Sequence, residues 1–227
     1  MPMPVVVPDI PLMARVIYYL HGFASSPKST KASYIGERFE RHGIVLRCPD
    51  FNQPDFATLT LTRMLGRLEQ EMTSIGDEPA TLVGSSLGGT LAVLAAARSG
   101  PRVDRLVLLA PAVMFAKEGH HLLPPDEIAL WRSRGRRPFF HYADRAERML
   151  NFTFYEDSLR YNPFDAAFSQ PTLIFQGAHD ASVDALTVEA FARTRPNVTL
   201  SMLEDDHQLI ASLPRIWDTM SAFLGLE

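Results

Sequence analysis

The sequence predicts an α/β fold, a mostly parallel, doubly wound sheet with a helical insertion. Three observations predict it. Short apolar runs rich in β-branched residues recur along the chain, longer segments of helical period separate them, and one connection is far too long for a loop.

The apolar runs cover residues 15–20, 44–48, 81–84, 103–109, 172–175 and 198–203, and each reads as a buried strand. Between them, segments 28–42, 56–75, 87–99, 183–193 and 207–223 carry helical periodicity. The helix from Leu87 is crowded with small residues (Gly88, Gly89, Ala92, Ala95, Ala96, Ala97), which lets a backbone approach the sheet closely. The long connection, residues 111–170, reads as a lid insertion with helical pieces in a single domain spanning 1–227. It holds about half of the chain's aromatic residues, so Phe115, Trp131 and Tyr155 are expected to line an apolar pocket beneath it. The competing expectation is that these rings form the insert's own small core.

Composition narrows the function. With 227 residues, 46% of them hydrophobic and 21% charged, the chain has the profile of a soluble globular protein, and a net charge of −4 argues against nucleic acid. The lone Cys48 forms no internal disulfide and builds no cysteine metal site. The opening MPMPVVVPDIPLMAR lacks a basic start and is broken by proline, so neither a signal peptide nor a membrane span is expected, and the protein reads as cytoplasmic. Monomer and homodimer both stay open.

The strongest local signal is Gly84-Ser85-Ser86-Leu87-Gly88, a G-x-S-x-G pattern that ends an apolar strand and opens a helix. A nucleophile on such a turn stands on strained backbone, and the flanking glycines let neighbouring chain pass without Cβ clashes. Ser86 is the expected nucleophile, and the Leu87 N–H, at the helix start, the first oxyanion donor. The run Tyr19-Leu20-His21-Gly22-Phe23 ends an earlier strand in a His-Gly turn, and the Phe23 N–H is the candidate second donor. His21 is read as shaping that loop by hydrogen bonding rather than as a base.

Hydrolases with this elbow place their triad in the order Ser, acid, His. Strand 172–175 runs through Gly177 into Asp180, the expected acid, and the loop after the last strand returns His207, the expected base, at the start of the final helix. Asp184 reads as a helix N-terminal charge, and Asp205 and Asp206 stand too close to His207 in sequence to reach its ring easily. His42, His120, His121, His141 and His179 show no metal-ligand spacing, so no metal and no cofactor is expected. Arg132, Arg134, Arg136 and Arg137 read as a solvated basic face, with reception of an anionic substrate group as the lesser alternative.

Tyr19 to Phe23, then Ser25-Ser26-Pro27 and Lys31-Ala32, together with Leu82 to Gly89, resemble the small bacterial YqiA/YcfP-type esterases of the α/β-hydrolase fold. The same opening and elbow, with Asp206-His207-Gln208, are similar to palmitoyl-protein thioesterase-like α/β-hydrolases. The resemblance spans most of the chain outside the insert. It implies esterase or thioesterase chemistry on a small-molecule substrate, with amide cleavage or another acyl transfer as the alternative and a non-catalytic binding protein as the remote one. An aspartate nucleophile, as dehalogenases and epoxide hydrolases need, is disfavoured by the serine at 86.

Overall fold

The computed structural model describes residues 16–115 and 123–226. In chain order its strands are β1 (Val16–Leu20), β2 (Leu46–Arg47), β3 (Ala80–Ser85), β4 (Val103–Leu109), β5 (Arg136–His141), β6 (Ala146–Asn151), β7 (Thr172–Gly177) and β8 (Val198–Leu203). The helices are α1 (Thr30–Arg41), α2 (Leu61–Ser74), α3 (Leu87–Ser99), α4 (Pro125–Arg134), α5 (Thr153–Ser158), α6 (Ala185–Arg193) and α7 (Leu213–Leu224). Six strands form one parallel sheet in the order β2-β1-β3-β4-β7-β8. The expected α/β architecture is therefore present. Arg15, the N-terminal segment, His120 and His121 lie outside the described residues.

Period-two alternation explains why helices cover both faces. Ile17 and Tyr19 join a core built with α1 and α7, whereas Tyr18 and Leu20 join a core with α2, α3 and α6. Both sets are buried, so the strands read as continuous apolar runs rather than as alternating ones. The chain leaves β1 for β2 on one side, then returns to lay β3 on the other. That reversal opens a crevice beyond the carboxyl ends of β1 and β3, where open parallel sheets hold their ligands.

Several boundaries differ from the sequence expectation for identifiable reasons. Only Leu46 and Arg47 pair on the edge strand β2, where Val45 is 80% exposed. Helix α2 begins at Leu61 because the Thr60 side chain caps it by accepting from the Arg63 N–H, and residues before it close a turn on Asp55. Helix α7 begins at Leu213 rather than at His207. Pro214, which lacks an N–H, suits the first helical turn, and Asp205 accepts from the Ser212 amide just ahead of it.

The segment between β4 and β7 contains the expected helical pieces, α4 and α5, and also an antiparallel hairpin, β5–β6. Trp131 is 1% exposed, donates its indole N–H to the Leu150 carbonyl, and packs against Phe139, Phe152 and Tyr155. Trp131 and Tyr155 thus sit in the insert's own aromatic core. That core continues into the main one through Phe154, which meets both Phe23 and Phe115. The basic run has mixed partners: Arg137 pairs with Glu127 at 2.8 Å, Arg132 lies over the Phe152 ring, and Arg134 and Arg136 face solvent.

Phe154 is fully buried where insert and sheet core meet. Phe154→Ala should cost about 3–5 kcal/mol of unfolding free energy, read as a drop in the urea midpoint at unchanged slope.

Candidate active site

Strand register brings distant loops to one end of the sheet. Leu20 pairs with Gly84, so His21 to Phe23 leave β1 beside Ser85 and Ser86. Gly177 pairs with Leu203, so Ala178 to Asp180 leave β7 beside the loop that carries His207. Main-chain bonds lock this second pair, with the Ala178 amide donating to Leu203 and the His179 amide to Asp205.

Ser86 holds φ 53° and ψ −116°, a conformation that costs a residue with a Cβ on the order of 1–3 kcal/mol. The structure fixes it from three sides: its N–H donates to the Leu109 carbonyl, and its own carbonyl accepts from the Gly89 and Ala112 amides. Two glycines make the turn possible. A Cβ on Gly88 would collide with the Leu20 carbonyl, and one on Gly84 with the Gly88 carbonyl.

The three side chains expected from the sequence meet there. His207 Nε2 lies 3.1 Å from Ser86 Oγ, and His207 Nδ1 lies 2.8 Å from Asp180 Oδ2. The Asp180 side chain has no solvent-exposed surface, and that of His207 is 18% exposed. Every lone-pair direction of the carboxylate is engaged: Oδ1 accepts from the Ser182 and Val183 amides, both at 2.8 Å, and Oδ2 accepts from Gln176 Nε2 at 3.0 Å. Burial pushes the Asp180 carboxyl up, but the His207 hydrogen bond, the Val183 and Ser182 amides and the His207 charge outweigh it and hold the group below its ordinary value. With Asp180 ionised, His207 Nδ1 carries the proton and Nε2 is free to accept the hydroxyl proton of Ser86.

Gln176 has no counterpart in the sequence reading. It is fully buried at the end of β7, and its amide also donates to the Val183 carbonyl at 3.2 Å, so it splints the turn that presents Asp180. The available signal was a single amide within an otherwise apolar strand. Asp184, as expected, caps α6, accepting from the Leu186 and Thr187 amides.

The first loop is built for rigidity. His21 is 2% exposed and accepts from the Phe51 amide through Nε2, while Nδ1 lies 3.0 Å from the Gly22 carbonyl. Its imidazole therefore ties the β1 loop to the β2 loop and takes no part in the Ser86 chain. Phe23 is held by its ring, which contacts Phe56, Phe139 and Phe154. Among the described residues, neither the Phe23 nor the Leu87 N–H donates to another group. Phe115 is partly buried against Phe154, near these loops, whereas Trp131 lies deeper in the insert. His42 packs at a tilt against Trp217, His141 packs edge-on against Phe56, and His179 sits at the surface 3.1 Å from Glu204.

Known structures share this architecture. A putative hydrolase from Agrobacterium vitis S4 superposes with a TM-score of 0.80 at 22% identity, covering 92% of this chain and 88% of that one. Est1E from Butyrivibrio proteoclasticus, solved with ferulic acid bound, gives 0.76 at 21% identity, covering 92% and 89%. Alpha/beta hydrolase domain-containing protein 10 from mouse gives 0.74 at 19% identity over the same shares. The chain matches no curated protein in sequence. Residues 16–224 match the model of the family described as Uncharacterised protein family (UPF0227). The chain, an α/β-hydrolase in fold, belongs to that family.

Proposed function

We propose that this protein is a serine hydrolase that cleaves carboxylic esters or thioesters through an acyl-enzyme. The observation that carries the reading is the continuous hydrogen-bonded chain from Ser86 through His207 to a wholly buried, fully solvated-by-protein Asp180 carboxylate. A histidine so placed is oriented for one task, removing the proton from Ser86 Oγ.

In the forward step Ser86 Oγ attacks the acyl carbonyl carbon while His207 Nε2 takes its proton. The oxyanion is held by the Phe23 and Leu87 amides, which have no other partner among the described residues. Collapse of the tetrahedral intermediate expels an alcohol or thiol, which receives the proton from His207. Water, deprotonated in turn by His207, then releases the carboxylic acid and restores Ser86. Alcohol and thiol leaving groups are the better ones of the acyl derivatives, so esters and thioesters make the least demand on this proton transfer. The aromatic insert above Phe23 suits an apolar acyl or aryl group; Phe115 joins it through Phe154 and Trp131 through Phe139.

Ser86→Ala should abolish labelling by a serine-directed fluorophosphonate and turnover of aryl esters, with the melting transition retained. A folded, active Ser86→Ala protein would overturn the reading. Comparison of ester, thioester and amide substrates of one acyl group separates the acyl-transfer alternatives. Asp180→Asn should lower kcat on the order of 10⁴-fold by favouring the wrong imidazole tautomer.

The depressed Asp180 carboxyl also sets a pH dependence. Its ionised form stabilises the fold fully above the unfolded carboxylate value of about 3.9, and that contribution is lost as pH falls through the lower folded value. Urea unfolding between pH 5 and the acid range, about pH 2, should therefore show a shallower loss of stability in Asp180→Asn than in the natural protein.

A further inference from the structure

One buried cation lies directly behind the proposed base. Lys31 is 7% exposed, the only buried lysine or arginine among the described residues, and it reaches from the first turn of α1 to the loop after β8. Its Nζ lies 3.5 Å from the main-chain carbonyl of His207. The charged groups that face it are Asp180 from the β7 turn and Asp205 and Asp206 from the His207 loop. Helix α1 is itself capped through Ser29, whose hydroxyl accepts from the Ala32 amide, so the lysine projects from a fixed point.

We propose that Lys31 is a positioning residue for His207: its ammonium group tethers the base's main chain, drawn to that place by the field of Asp180, Asp205 and Asp206. The proposal rests on the serine-hydrolase reading above. The physical reason is that Asp180, Asp205 and Asp206 each draw the buried ammonium toward this loop, where its Nζ meets the His207 carbonyl, and no second buried lysine or arginine among the described residues can take its place. Without Lys31 the loop relaxes, and the 3.1 Å contact between His207 Nε2 and Ser86 Oγ is lost. Gly177 shows how little slack this loop has, since a Cβ there would lie 2.5 Å from the Asp205 carbonyl and 2.6 Å from that of Asp206.

Burial is the largest influence on the ammonium and lowers it to about 8 from 10.5, against the upward pull of Asp180, Asp206 and Asp205. Two consequences separate positioning from support of the fold. The tether weakens as Lys31 loses its proton, so activity has an alkaline limb near that value. Because the folded value lies below the unfolded one, burying the ammonium opposes folding below about pH 8, and this penalty fades as pH rises toward 10.5. An apolar replacement therefore keeps or raises the melting temperature at pH 7 while slowing the chemistry.

The test follows the rate of fluorophosphonate labelling at Ser86, by intact mass, from pH 6 to pH 10 in the natural protein, Lys31→Met and Lys31→Arg. The natural protein should label with a decline above about pH 8. Lys31→Met should label at least about ten-fold more slowly at pH 7, in line with the cost of misplacing a catalytic group, with no loss of melting temperature and no alkaline limb. Lys31→Arg, which keeps its charge throughout, should recover part of the rate and stay flat above about pH 8. Natural-protein labelling that stays level to pH 10, or a Lys31→Met protein with unchanged rate and profile, overturns the role of Lys31 alone. Absence of labelling at Ser86 in the folded natural protein instead overturns the hydrolase reading beneath it. Should Lys31→Met not fold, the Lys31→Arg profile decides: an alkaline limb that persists above about pH 8 with arginine in place overturns the role of Lys31.

Discussion

Ser86 occupies backbone angles that a side chain disfavours, and most of the architecture can be traced to keeping it there. The conformation survives because α3 starts hard against the end of β1, a contact that only glycine at 88 permits. That contact in turn requires β1 and β3 to be neighbours, which fixes the reversal of strand order beside them. The same reversal sends the connections that follow the two strands to opposite sides, the arrangement in which open parallel sheets leave room for a ligand. Ten consecutive residues of α3, Leu87 to Ala96, are buried, and this deep seating distributes the cost of the strained turn over a large apolar contact.

What could be read from the sequence follows from how local each signal is. The elbow, its strand and its helix are contiguous, and their spacing alone implies the turn; residues 103–109, 198–203 and 87–99 have the bounds observed for β4, β8 and α3. Asp180 and His207 were legible because strand ends deliver them, although the pairing itself depends on β7 and β8 lying in register. The hairpin β5–β6 was not legible. Its turn contains no glycine or Asn-Gly pair, and Arg145 takes the positive φ that such a residue would ordinarily supply. The placement of Gln176 and the burial of Lys31 escaped for the opposite reason: a polar residue in an apolar run, or a lysine on a helix, carries a local expectation of solvent, and only the tertiary partners reverse it.

The aromatic content of the insert divides between two uses that composition cannot separate. Trp131, Phe152 and Tyr155 hold the insert together, whereas Phe139 and Phe154 reach down to Phe23 on the β1 loop. The ring of Phe23 is thus gripped from above while its chain neighbour Gly22 lies against Ser85 and Ser86, so packing in the insert bears on where that loop sits.

The hairpin also touches the body of the protein through main-chain atoms. The Tyr142 amide donates to the Ala24 carbonyl, and the Asn151 amide donates to the Ala57 carbonyl. Such bonds are indifferent to side-chain identity. The side chains of Phe140 and Tyr142, exposed and packed edge-to-face on each other, are therefore free to vary without unfastening the insert. A cap riveted by its backbone can change its face to the outside world while the loop beneath it keeps its shape.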